Sequence, residues 1–101
     1  MVPTPEMIPV RDGTRLAVLH WSEPGTDGAP VVLVHGVASN ARLWDGAARS
    51  LRERGHGVVA VDLRGHGLSD KPDTGYSVAD VADDVADILA ALARDGWTRP
   101  L

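Results

Sequence analysis

Two short apolar runs constrain this chain more than any other feature. Val31-Val32-Leu33-Val34 and Val58-Val59-Ala60-Val61-Asp62 are rich in β-branched residues, and the first shows no in-out alternation. Such runs read as strands buried on both faces, as in the middle of a parallel sheet. Between them Trp44, Ala47, Ala48 and Leu51 recur at spacings of three, four and seven. That spacing predicts one face of a helix, ending at Gly55 where a left-handed cap is easiest. A strand–helix–strand unit implies a parallel, right-handed α/β sheet.

The flanks extend the pattern. Residues 6–10 and 15–21 are apolar stretches around Arg11-Asp12-Gly13-Thr14, and Asp-Gly favours a tight turn, so a β-hairpin is expected. In the second stretch Leu16, Val18 and His20 alternate with Ala17, Leu19 and Trp21; a Pro- and Gly-rich loop, 22–30, then breaks the pattern. The clearest helix follows Ser77, with Val78, Val81, Ala82, Val85, Ile88, Leu89 and Leu92 in one stripe. Ser77 three residues ahead of Asp80 fits an N-cap with an acidic partner. Asp80, Asp83, Asp84 and Asp87 lie mostly off the stripe and read as a solvated face.

Composition removes several function classes. The 101 residues fit one small domain, and no internal repeat or linker divides them. A net charge of −4 does not suggest a phosphate-binding surface, so nucleic acid is not an expected partner. With no Cys there is no disulfide framework, thiolate metal site or cysteine nucleophile. No apolar run is long enough to span a bilayer, and the first residues lack a signal-peptide pattern. The expected location is therefore the cytoplasm, without a membrane partner.

The chemistry is expected beyond the carboxyl ends of the two strands, where open α/β sheets place their ligands. The first strand ends in His35-Gly36-Val37-Ala38-Ser39-Asn40, where a glycine after a strand lets the backbone turn sharply and leaves N–H groups free to face an oxyanion. The second ends in Asp62-Leu63-Arg64-Gly65-His66-Gly67-Leu68-Ser69-Asp70. Strand-His-Gly with a later Trp, then strand-Asp-x-Arg-Gly-x-Gly-x-Ser, resembles the N-terminal part of an α/β-hydrolase-fold protein. The similar branch holds epoxide hydrolases, haloalkane dehalogenases, cofactor-free haloperoxidases, carbon–carbon bond hydrolases and esterases.

The resemblance implies a partial α/β-hydrolase fold: an N-terminal antiparallel hairpin followed by parallel strands with two flanking helices, residues 1–101 forming an incomplete part of one domain. It implies that Val37 donates its backbone N–H to an oxyanion hole, and that His35 and Gly36 shape that loop. Trp44 would pack near the start of the first helix, while Asp62, Arg64, Gly65 and Gly67 hold loops around the site. No cofactor or metal is implied. The substrate of a full-length parent would be small and apolar or ester-like.

The nucleophile elbow of this family, Gly-x-Ser-x-Gly or its Asp counterpart, does not occur here. None of the five serines, Ser22, Ser39, Ser50, Ser69 and Ser77, has glycine two residues away on both sides. Gly96-Trp97-Thr98-Arg99-Pro100-Leu101 resembles the lead-in to the elbow strand. The expectation is a truncated hydrolase segment, inactive alone, with all three triad members beyond Leu101. A non-catalytic ligand-binding domain, or one half of a split hydrolase completed by a C-terminal partner, are the alternatives. His35 or His66 as a catalytic base lacks a nearby nucleophile partner. A metal site from His35, Asp62, His66 and Asp70 lacks known ligand spacing, and a dinucleotide loop at Gly65–Asp70 lacks its third glycine.

Overall fold

The computed structural model describes residues 2–22, 31–36 and 38–97. Four strands form one mixed sheet: β1 (Thr4–Pro9), β2 (Arg15–His20), β3 (Val31–Val34) and β4 (Val58–Val61). The spatial order is β1-β2-β4-β3, with β1–β2 and β2–β4 antiparallel and β3–β4 parallel. The expected hairpin is there, Pro9 pairing with Arg15, and so is the parallel pair, Val31 to Val34 aligned with Val58 to Val61. The two apolar runs differ in burial, however. All four residues of β4 are buried, whereas all four of β3 are only half-buried. Among the described residues β3 is paired on one edge only, so the double burial expected for it is not met.

The period of two along the strands sorts the core into two layers. Leu16 and Val18 of β2 with Val59 and Val61 of β4 pack with Ile8 and Val10 against Ile88, Ala91 and Leu92 of α2 (Val78–Arg94). Leu19 and Ala60 instead pack with Ala41 and Trp44, and Val58 with Trp21, Ala48 and Leu51. Apart from Trp21, which follows β2, those partners come from a 3-10 turn, Ala41–Trp44, and from α1 (Asp45–Glu53), which cover this second set of side chains. Ala47, expected on the inner stripe, is exposed; the turn before α1 shifts the facing set to Ala41 and Ala48.

The end of α1 and the start of α2 are those that the sequence foretells. Gly55 has φ +88, its N–H donates to Arg52 O and that of His56 to Leu51 O, a Schellman closure. The same pairing ends α2, where Trp97 N–H donates to Leu92 O at 3.1 Å and the indole joins the core cluster of Leu92. At the other end the Ser77 hydroxyl accepts from Asp80 N–H while the Asp80 carboxylate accepts from Ser77 N–H, the expected capping box.

The acidic face of α2 is not wholly solvated, which corrects the sequence reading. Asp84 is fully buried, and its carboxylate takes Arg64 Nε at 2.6 Å and Arg64 Nη2 at 2.8 Å. Arg64 is 1% exposed and places Nη1 on Asp12 at 3.1 Å, in the hairpin turn. Arg11 adds a second cation, its Nη1 on Asp84 at 2.7 Å and its backbone N–H on Asp87 at 3.0 Å. Gly75, with φ +90, passes so close to this guanidinium that a Cβ would overlap Nη1. Three remote segments thus meet on one carboxylate. Helical periodicity alone places Asp84 with the other aspartates; only the arginine of a different segment accounts for its burial.

Removing one partner of a buried pair leaves an uncompensated charge, at a cost of about 3–5 kcal/mol. Asp84→Ala should therefore lower the unfolding free energy by about that amount, read from urea titration. The pH dependence follows from Asp12. The Thr14 backbone amide, then the Thr14 hydroxyl and Arg64, hold its carboxyl down to about 2 from an ordinary 3.8. A carboxyl lowered on folding stabilises the fold above its unfolded value and loses that contribution as pH falls through the folded value. Stability should thus decline from about pH 4 to about pH 2, and Asp12→Asn should make that decline shallower. Asp70, held low by Arg15, and Asp80, held low by Ser77, account for further acid sensitivity in the variant.

Candidate functional site

The loops that leave β3 and β4 lie side by side because the two strands are parallel and in register. Three side chains tie these loops together through backbone groups. His35, 4% exposed at the end of β3, accepts the Leu63 N–H on Nε2 at 2.9 Å. From the opposite loop His66 accepts the Ala38 N–H on Nε2 at 3.0 Å. Asp62, 2% exposed, accepts the Ala41 N–H on Oδ1 at 2.6 Å and the Leu68 N–H on Oδ2 at 3.0 Å. Since both histidines accept on Nε2, each carries its proton on Nδ1 and donates it to a carbonyl: His35 to Gly36 O at 2.6 Å, His66 to Arg64 O at 2.9 Å. The two rings lie 5.0 Å apart, tilted at 55°.

With every ring nitrogen engaged by the backbone, neither histidine is placed as a catalytic base. Asp62 is likewise consumed by amides, and Asp70 accepts from Arg15 N–H at 2.9 Å and from its guanidinium. These four residues are therefore loop-holding groups; among the described residues no three His, Asp or Glu side chains gather as a metal site would require. The dinucleotide reading fails on geometry too, because no helix opens after Gly67 and α2 begins only at Val78.

Gly67 has φ +51, and a Cβ there would overlap the Asp62 carboxyl group, so the glycine lets this carboxylate reach the amides of its own loop. Gly65 lies under the Tyr76 ring, 2.8 Å from where its Cβ would be. Gly36 is exposed, has open space around it and its φ is not positive; among the described residues of this loop Ala38 is left-handed, φ 63. Val37, the expected oxyanion donor, lies outside the described residues. Trp44 is half-buried against Leu33, Leu19 and Ala60, a packing residue rather than a site wall. Arg64 turns its guanidinium away from these loops toward Asp84.

Sequence reasoning left out Ser69. Its hydroxyl is buried, donates to Asp62 O at 2.5 Å and accepts Ala17 N–H at 2.8 Å, which splices the second loop onto β2. The serine ending Gly-x-Gly-x-Ser was the available signal. A cleft of about 410 Å³ opens beside these loops, walled by Leu63, His66, Tyr76, Val78, Val81 and Ala82. Val78, expected on the apolar stripe of the helix, is 89% exposed along it, and Tyr76 is 46% exposed.

The arrangement is a braced platform at the carboxyl ends of two parallel strands. Asp62→Ala would strip the carboxylate from two amides, a loss of about 3 kcal/mol. The variant should show that drop in urea unfolding and faster hydrogen exchange at Ala41 and Leu68, with the hairpin amides unchanged relative to the global stability.

Comparison with known proteins agrees with this geometry. The sequence profile of the alpha/beta hydrolase fold matches residues 29–98. A 2-(acetamidomethylene)succinate hydrolase of Mesorhizobium japonicum is 45% identical over 76 residues, 75% of this chain and 27% of that protein. A non-heme chloroperoxidase of Streptomyces lividans is 40% identical over 85 residues, 84% of this chain and 30% of that protein. Among solved structures, an esterase from Exiguobacterium antarcticum superposes with a TM-score of 0.79 at 33% identity, over 89% of this chain and 32% of its own. Epoxide hydrolase A from Mycobacterium thermoresistibile superposes with a TM-score of 0.79 at 28% identity, over 90% of this chain and 28% of its own. The chain thus spans under a third of the length of these relatives. With its hairpin, its parallel pair and its two braced loops, it belongs to the alpha/beta hydrolase fold family.

Proposed function

We propose that the chain is the N-terminal segment of a cofactor-free hydrolase. The parent activity is cleavage of an ester, epoxide, carbon–halogen or carbon–carbon bond by an elbow nucleophile supplied from outside these residues. The observation that carries this reading is the bracing of the loop after β3. His66 fixes it at Ala38 and Asp62 at Ala41, while His35 anchors its start on Leu63. A rigid backbone at this point is what main-chain stabilisation of an oxyanion needs, because donors that are already oriented need no reorganisation as charge develops. Val37, directly after His35-Gly36, is the residue assigned that role. In ester-type chemistry the nucleophile adds to the carbonyl carbon, and the oxygen that becomes negative is met by this N–H.

Hydrolase and esterase are also the descriptions of several relatives, which supports the class of reaction and leaves the substrate to the wall residues of the rest of the domain. The apolar cleft of about 410 Å³ supports a second reading, a domain that binds a small apolar ligand without covalent chemistry. Completion by a separately encoded C-terminal half is the third.

The 101-residue chain alone should leave p-nitrophenyl acetate at its uncatalysed rate and take no label from a fluorophosphonate probe. Fused to the remainder of the Exiguobacterium antarcticum esterase in place of the matching segment, it should restore turnover and labelling. Probe-sensitive turnover by the chain alone, or a folded fusion without activity, contradicts the proposal. Saturable binding of an apolar dye by the chain alone, with a silent fusion, favours the binding reading.

A further inference from the structure

We propose that His66 is a positioning residue for the loop after β3, and that it holds this loop only as the neutral imidazole. The inference rests on reading that loop as a main-chain donor site, and it names the group that sets its shape. Ala38 occupies the left-handed region, φ 63, without being glycine. Such a conformation costs roughly 1 kcal/mol or more for a residue with a Cβ and persists when surrounding contacts determine it. Such a contact is the bond from Ala38 N–H to His66 Nε2, 3.0 Å long, reaching across from the other strand's loop. His66 is in turn oriented by its own Nδ1–H on Arg64 O at 2.9 Å and by the neighbouring His35 ring.

Both ends of this linkage are fixed, so the ring cannot rotate to another acceptor without breaking one of its two bonds. A second proton would go to Nε2, the atom that receives the Ala38 N–H. Two N–H groups would then face each other and the tie would be lost. The charged and titratable groups around His66 are the His35 ring, the Tyr76 phenol, Arg64, whose guanidinium is committed to Asp84 and Asp12, the Asp62 carboxylate, which lies against Gly67 and is committed to the Ala41 and Leu68 amides, and Lys71, whose Nζ donates to Gly67 O. From α2 only Val78, Val81 and Ala82 line the same cleft.

The test uses nuclear magnetic resonance on the isotope-labelled full chain. The His66 ring nitrogens should report the Nδ1–H tautomer near pH 8; an Nε2–H tautomer overturns the proposal with no variant needed. Protection of the Ala38 amide against exchange should fall about tenfold between about pH 8 and about pH 5, the worth of one hydrogen bond. His66→Gln keeps an acceptor oxygen that does not titrate, and its Ala38 protection should be the same at both pH values. His66→Phe should show low protection at both. Protection independent of pH in the unsubstituted chain, or equal in H66F and the unsubstituted chain, overturns the proposal. If H66F does not fold, the comparison with H66Q decides. None of these readouts involves turnover, so a failure of the hydrolase reading leaves them intact and is seen separately.

Discussion

The carboxylate of Asp84 is the point on which the rest of the molecule depends. It carries a bidentate pair with Arg64 and a third bond from Arg11, in a position with no solvent access. A charge moved that far from water is tolerated only when its partners are complete and well oriented. Here the partners come from the hairpin turn and from the loop after β4, so satisfying Asp84 fixes both against α2. The 17 residues of α2 would be a marginal helix in water on their own. Its docking through Ile88, Ala91 and Leu92 provides apolar contact without direction, and the arginines supply the direction.

That arrangement also explains the division of labour in the Asp62–Asp70 segment. Arg64 points one way into the ionic centre, while Asp62 and His66 point the other way to the loop after β3. Gly67 and Gly75 make room for these opposed side chains, each where a Cβ would strike the group that passes it. Ser69 then anchors the segment to β2. A single nine-residue stretch therefore braces the ligand end of the sheet and links it to the helix layer. Its composition, two carboxylates, one guanidinium and two glycines, suggests chemistry; its geometry is that of a bracket.

Much of this was legible in the chain. The hairpin around Asp12-Gly13, the parallel pair, the Ser77–Asp80 cap and the Gly55 terminus are local, since each depends on residues a few positions apart. What was not legible depends on partners remote in sequence. Asp84 counts as polar in any helical period until Arg64 and Arg11 are placed beside it. The half-burial of β3 reflects which strands flank it, and its composition resembles that of the fully buried β4. In the site loop the structure puts a left-handed residue at Ala38, which carries a Cβ, where a histidine from another loop holds it, and no local signal marks that position. His35 and His66 invited a catalytic reading because histidine beside glycine in a loop is common in active sites. Their hydrogen bonds assign them to the scaffold.

The strand order has a consequence for how the chain is made. β3 leaves the ribosome before β4, yet its place in the sheet lies on the far side of β4 from the hairpin. At about 5–20 residues per second, β4 follows β3 only after a delay of order seconds, longer than hairpin closure by several powers of ten. Throughout that interval four consecutive apolar residues lack the parallel strand that they pair with in the finished sheet. The nascent segment is thus adhesive between the synthesis of β3 and that of β4, when a hydrophobic-tract chaperone would find Val31–Val34 open to it.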